Sequence, residues 1–302
     1  MADHRYKIVG LGELLWDLFP AGKQLGGAPA NFAYIASILG DEGIPASRLG
    51  SDDLAAEANR RLAELNLNTN FIQTDPTHPT GTVSVEVDAA GQPRFRISDF
   101  VAWDFLEWTP QWQQLAASAD AVCFGSLAQR SEQSHATILN FVRATRPDAI
   151  RVFDVNLRQH FYNAQVLSDS MKLATIVKLN HEELPKIVDL FNLNLQHEEK
   201  FAQHLIAQYN LKLVCLTRGN GGSLLVSQEK STSHPGFRVK VADTVGAGDA
   251  FTAALVHEYL RGASPDRTNE FANRLGAWVA SQVGATPVLK PGGLEKTLAE
   301  IA

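Results

Sequence analysis

Val239-Lys-Val-Ala-Asp-Thr-Val-Gly-Ala-Gly-Asp-Ala-Phe-Thr-Ala-Ala-Leu255 is the stretch around which the rest of the chain is read. It opens on an apolar, β-branched segment, with Phe237–Ala242 expected as a strand that ends at Asp243. A turn carrying Gly246 and Gly248 follows, and then a run of small and apolar residues with the pattern of a buried helix. Strand, glycine turn and helix start together make an anion site, because the first helical turn leaves N–H groups unpaired and the macrodipole adds positive charge there. Asp249 lies inside that first turn. A carboxylate there would repel a bound phosphate, so it suits a loop that steadies developing charge while the acid takes a proton from an attacking hydroxyl. It equally suits a helix that simply favours an acid at its N-terminus. A Walker-A loop is excluded because Gly248 is followed by Asp249-Ala250, not Lys-Ser/Thr. A dinucleotide fingerprint is excluded because Phe251 is too large for the small residue needed at its sixth position.

A second glycine-containing motif, Gly26-Gly27-Ala28-Pro29-Ala30-Asn31-Phe32-Ala33, lies near the other end of the chain. The pair resembles the two signatures of the ribokinase-like (PfkB) carbohydrate kinases, in the right order. The resemblance extends over essentially the whole chain. It implies an α/β fold, a ribokinase-like doubly wound, mostly parallel sheet with helices on both faces plus a small β-lid. It also implies transfer of the γ-phosphoryl of ATP to a sugar hydroxyl, with magnesium as cofactor and a potassium ion in many relatives. In that setting Asp249 is the expected base, and the backbone of Gly246, Ala247 and Gly248 the expected anion hole. Asp243 and the carbonyl of Val245 would be potassium ligands by the same resemblance.

Composition agrees with such an enzyme. The chain has 302 residues, enough for one large domain (1–302), and its 45% hydrophobic and 20% charged residues are ordinary for a globular protein. A net charge of −6 with no basic stripe argues against a nucleic-acid partner. Cys123 and Cys215 sit in apolar strand-like runs and read as buried free thiols. No signal region and no membrane-length apolar run is visible, which points to a cytoplasmic protein.

Along the chain, Tyr6–Leu11 reads as the first strand. Asp17 then stands alone among apolar residues, as a surface-turn acid before Pro20 or as an acceptor for sugar hydroxyls, the role that the resemblance favours. Gly26 and Gly27 allow a ligand to approach the backbone. Asn31 is expected to open a helix, as its cap or as a sugar contact. From Thr80 to Ile97 the pattern alternates around Asp88–Gln92, as in a two-faced antiparallel hairpin whose apolar face should cover something outside the main sheet. With about 12–25 and 80–104 this would form the lid, which in many relatives also pairs with a second subunit. Trp16 and Trp103 suit either a sugar face or ordinary packing.

Strands and helices then alternate: Ala121–Phe124, Glu132–Thr145, Arg151–Asn156, Ile176–Leu179, Lys212–Thr217, and a helix over Phe271–Val283. Phe-Asp-Val-Asn-Leu-Arg158 ends one strand where open α/β sheets place ligands, and with the residues after it resembles fructokinases. Arg158 could reach a phosphate or the sugar, whereas His160 reads as a surface residue. Asn180 and Glu183 have the spacing of a cap and its box acid; the resemblance gives Glu183 a magnesium role, often through water. Thr217 and Gly219 join Asn180 as nucleotide contacts, and the resemblance adds Asn273. The expected reaction is phosphorylation of a primary hydroxyl, D-fructose first among acceptors. The alternatives are 2-keto-3-deoxygluconate, ribose or a nucleoside, or a non-catalytic sugar- or nucleotide-binding regulator on the same fold.

Overall fold

A computed structural model describes residues 4–19, 22–87, 93–195, 197–289 and 293–301. Strand β1 (Lys7–Leu11) leads into the antiparallel pair β2 (Leu15–Phe19) and β3 (Gly22–Gly26), then α1 (Ala28–Ile38), β4 (Glu42–Leu49), α2 (Asp53–Glu64) and β5 (Ile72–Thr74). A second antiparallel pair, β6 (Gly81–Val87) and β7 (Pro93–Ile97), follows. The expected turn at Asp88–Gln92 lies outside the described residues. Next come α3 (Pro110–Ser118), β8 (Ala121–Phe124), α4 (Glu132–Ala144), β9 (Ile150–Asp154), α5 (Ala164–Leu173) and β10 (Ile176–Asn180). Helices α6 (Glu183–Leu190) and α7 (Glu198–Tyr209) precede β11 (Leu213–Thr217), β12 (Ser223–Val226) and β13 (Ser231–His234). Helices α8 (Ala247–Leu260), α9 (Pro265–Ala280) and α10 (Gly293–Leu298) end the described chain.

The main sheet has nine strands in the order β13-β12-β11-β10-β9-β8-β1-β4-β5, parallel from β11 to β5 and antiparallel at β12 and β13. Its central strands are apolar on both sides because both faces are covered. Phe124, Phe153, Val177 and Leu216 face a core built with α3 to α7. Cys123, Val152, Ile176 and Cys215 face a second core built with α1, α8 and α9. Both cysteines are buried free thiols. No helix among the described residues is long and apolar enough to cross a membrane.

A separate sheet of four strands, β3-β2-β6-β7, takes its strands from residues 15–26 and 81–97. Its apolar face is not wholly free for a ligand: Leu15, Val83 and Ile97 join the first core beside Trp103, while Phe95 stays 58% exposed. The hairpin root therefore packs on the body and only its outer part projects. Trp16 and Trp103 are both buried, the indole of Trp16 donating to the Leu54 carbonyl at 3.0 Å, so packing accounts for both rings.

Three local expectations change. Residues 237–242 form no strand: Phe237 and Val239 turn toward the core and Val241 is exposed, but no neighbouring strand is there to ladder with. Ala242 and Asp243 instead donate their N–H groups to the Ala280 carbonyl. Helix α1 starts at Ala28, three residues before Asn31, because Pro29 suits a first turn and the Gly27 carbonyl accepts from Ala30 and Asn31. Helix α9 begins at Pro265, capped by Ser264, ahead of a charged turn that carries no apolar periodicity.

Candidate active site

The chemistry gathers at the C-terminal crest of the parallel strands, where β1 gives way to Gly12 and Glu13, β9 to Asn156 and Arg158, and the glycine turn enters α8. Gly246 caps α8 with φ +78°, and a Cβ there would stand 2.4 Å from that of Ala285, so the turn is open only to glycine. The N–H of Ala247 makes a long bond of 3.3 Å to the Thr244 carbonyl, while those of Gly246 and Gly248 have no partner among the described residues.

Asp249 is partly buried in the first turn of α8, and its Oδ2 accepts from the Asn31 amide at 2.8 Å. Asn31 therefore does not cap its helix: it is 4% exposed and links the first turn of α1 to the first turn of α8. Burial pushes the Asp249 carboxyl up to about 6, with Asp154 pushing the same way and Asn31, Lys178 and Arg158 opposing. Beside it runs a small cavity lined by Ala28, Pro29, Gly125, Asn156 and Thr252.

Asp17 lies within β2, paired across the strand with Gln24, and a Cβ on Gly26 would stand 2.4 Å from its Oδ2. Burial pushes Asp17 to about 6 as well, against the charge of Arg158 and with that of Asp243. Arg158 is exposed and its charge acts on Glu13, Asp17 and Asp249 alike, so one guanidinium serves acids from the lid and from the sheet crest. Its neighbour Gln159 donates to the Phe95 carbonyl of β7 at 2.6 Å, tying that loop to the lid. Gly27 takes φ +114° and a Cβ on it would stand 2.4 Å from the Glu13 carbonyl, which holds the start of α1 against the loop before β2.

The pfkB family carbohydrate kinase description matches residues 13–291. This chain belongs to the pfkB family of carbohydrate kinases. An uncharacterized sugar kinase from Pyrococcus horikoshii is 31% identical over 297 residues, covering 92% of this chain and 91% of the relative. Its complex with ATP superposes with a TM-score of 0.79 at 29% identity, covering 92% and 94% of the two chains. Fructokinase of Salmonella typhimurium is 29% identical over 301 residues, 94% of this chain and 96% of that one. A Vibrio cholerae fructokinase double mutant with fructose, ADP and potassium ion bound has the same fold, with a TM-score of 0.81 at 24% identity over 100% and 99% of the chains.

The remaining candidate residues of this sugar kinase have varied surroundings. Asn180 and Thr217 end β10 and β11 side by side, and Gly219 takes φ +58° in the turn after β11. Asn180 accepts from the N–H groups of Glu182 and Glu183, and the Glu183 carboxylate accepts from those of Asn180 and Leu157 at 2.8 Å, a reciprocal loop just ahead of α6, whose cap residue is Glu182 and not Asn180. Glu183 is 3% exposed, and among the described residues no three His, Cys, Asp or Glu side chains converge into a metal cage. This fits magnesium only as an ion held mainly by nucleotide and water. The Asn273 amide donates to Ser223 Oγ at 2.7 Å and to Asn269, so its N–H groups serve the seam between α9 and β12. Asp243 accepts from the N–H groups of Val245 and Gly284, tying its turn to the segment after α9.

Three groups were not among the sequence candidates. Glu13 is buried with Oε2 unpartnered, and burial raises its carboxyl to about 7. Lys178 and Asp154 form a buried ion pair of 3.1 Å below the anion turn. The signal for the pair was a lone lysine inside the apolar strand Ile-Val-Lys-Leu-Asn.

Proposed function

We propose that this sugar kinase transfers the γ-phosphoryl of ATP to a primary hydroxyl of a ketose, with D-fructose as acceptor and Asp249 as general base. The observation that carries the reading is Asp249 itself: Asn31 holds one carboxylate oxygen at 2.8 Å while Oδ1 has no partner among the described residues. That free oxygen can accept the hydroxyl proton as the acceptor oxygen attacks the γ-phosphorus and the bond to the departing ADP breaks. With a carboxyl near 6, the base is ionised at neutral pH yet basic enough to help. The N–H groups of Gly246 and Gly248 steady charge on the transferred phosphoryl, and that of Ala247 joins them as its long bond to Thr244 opens.

Asp17, Gln24 and the Gly26-Gly27 backbone are assigned to the sugar, and the lid over them excludes competing water. Asn180, Thr217 and Gly219 are assigned to the nucleotide side, with Asn273 acting behind them through Ser223. Magnesium bound with ATP would neutralise phosphate charge, with Glu183 ordering its water. Potassium beside the anion turn would be held by Asp243 and the Val245 carbonyl. The outer lid strand β7, next to the exposed Phe95 and Phe100, is the face we assign to a second copy of the chain. Support for fructose comes from the fructokinase relatives and from an acid placed for hydroxyl donors. Arg158, exposed in the sugar cleft, favours a second acceptor class, sugar acids such as 2-keto-3-deoxygluconate.

ADP release measured with MgATP and D-fructose, 2-keto-3-deoxygluconate, ribose or a nucleoside separates these readings. Fructose should give the highest kcat/KM; preference for the keto acid would move the assignment to Arg158. No sugar-dependent ADP release on a broad panel would mark a binding protein instead.

A further inference from the structure

Asp154 and Lys178 are neighbours in register on the parallel strands β9 and β10, on the sheet face that carries Val152 and Ile176 against α8. They are 5% and 6% exposed. Their ion pair lies beneath the anion turn, Asp154 next to it through Thr252 and Lys178 beside Gly248. The Thr252 hydroxyl lies 3.0 Å from Asp154 Oδ2 and 2.9 Å from the carbonyl of Gly248, the residue just before Asp249. Lys178 Nζ would stand 3.2 Å from a Cβ on Gly248. A buried ion pair is poor value as a stabiliser, since apolar side chains of like volume hold a core at least as well. A charged pair in an otherwise apolar strand layer, directly beneath the reacting turn, therefore points to work done on that turn.

We propose that Lys178 and Asp154 are positioning residues that fix the first turn of α8 and set the proton affinity of Asp249 by opposed charges. This rests on Asp249 being the base. The other groups facing the site are Asn31 from α1, Glu13 after β1, Arg158 after β9 and the thiols of Cys123 on β8 and Cys215 on β11, which burial keeps neutral, while Glu183 faces Lys178 from α6. Burial works against the Lys178 charge, yet Asp154, Glu183 and Asp249 together hold its ammonium above its ordinary value, so it stays positive throughout the working range. With Lys178 present, the carboxylate form of Asp249 is favoured and bound phosphoryl is attracted; Asp154 offsets both effects. Neither side chain needs to touch substrate.

The test uses the full-length enzyme and near-isosteric variants, Lys178→Gln, Asp154→Asn and the double variant, with Asp249→Asn as reference. The readouts are the acid limb of kcat for MgATP with its best acceptor among fructose, 2-keto-3-deoxygluconate and ribose, and a carbon-13 titration of the Asp249 carboxyl. Lys178→Gln should move the limb up by about half a pH unit or more, Asp154→Asn should move it down, and the double variant should return near the wild type. The carboxyl titration should show the same displacements without turnover, so a weakly active variant still reports. Lower melting temperature and lower kcat with an unmoved limb, or both single variants moving it the same way, would overturn the proposal. Should Lys178→Gln not fold, Asp154→Asn alone decides, since no shift or an upward one contradicts it. An inactive Asp249→Asn beside unmoved limbs would sink only this inference, whereas an active Asp249→Asn would sink the base assignment beneath it.

Discussion

The first turn of α8 and the strand β2 of the small sheet each carry one carboxyl that feels the charge of Arg158, and burial pushes both, Asp249 and Asp17, to about 6. Their settings differ. Asp249 stands on a helix whose next seven residues are buried, with Asn31 bonded to one oxygen and a charged pair beneath the turn. Asp17 stands on a strand of the small sheet with no hydrogen-bond partner among the described residues, and the missing side chain of Gly26 leaves room beside it. One acid is held by a neighbouring amide; the other is desolvated with its oxygens open to donors, as the proposed sugar contact requires. The first arrangement suits chemistry and the second suits binding.

That contrast fails or sharpens on four measurements. Asp249→Asn should lower kcat by roughly a hundredfold or more while a titration still shows ATP binding. Near-normal turnover would remove the base. Asp17→Ala should act chiefly on KM for the sugar, raising it about 10–100-fold, the worth of hydrogen bonds to a charged group. A large fall in kcat with unchanged KM would make Asp17 part of the chemistry and erase the distinction. Asn31→Ala frees the Asp249 carboxylate of its donor, so the acid limb of kcat, expected near 6, should move up and activity at pH 6.5 should drop several-fold. A limb that stays put would mean that Asn31 does not act on the acid.

The smallest effect concerns stability. The folded-state value of Asp249, about 6, lies above its ordinary 3.8, so the folded protein holds that proton more tightly than the unfolded chain does. The stability tied to this group is then fully present below the ordinary value and lost as pH rises through about 6. Asp249→Asn should therefore raise the melting temperature by a few degrees at pH 8 and by less at pH 5. Equal changes at both pH values would show that the acid is not strained by burial. Together with the first measurement, this would show one residue lowering stability where it serves catalysis.

The candidate residues could be picked out along the chain because each motif is local. Two glycine motifs, the acid inside a helix turn and the polar end of Phe-Asp-Val-Asn-Leu-Arg are each a few residues long, and their meaning depends on backbone geometry that glycine and helix starts impose. The parallel sheet was implied by the family resemblance, and apolar runs alternating with helical periods agreed with it. What could not be read was whatever depends on a distant partner. Phe237–Ala242 has a strand pattern and no strand beside it. Glu13 and Lys178 look like surface charges caught in apolar company until the fold buries them at one crest.

Residue order alone thus determined the fold class, the glycine turns and the acid that follows them, since backbone freedom and side-chain periodicity act over a few positions. Only the packed structure decided that Asn31 holds Asp249 across 218 residues, that Asn273 turns to Ser223, and that Lys178 pairs with Asp154 under the turn. Those outcomes depend on which strands and helices become neighbours, and on how far water is excluded from the charges they bring together.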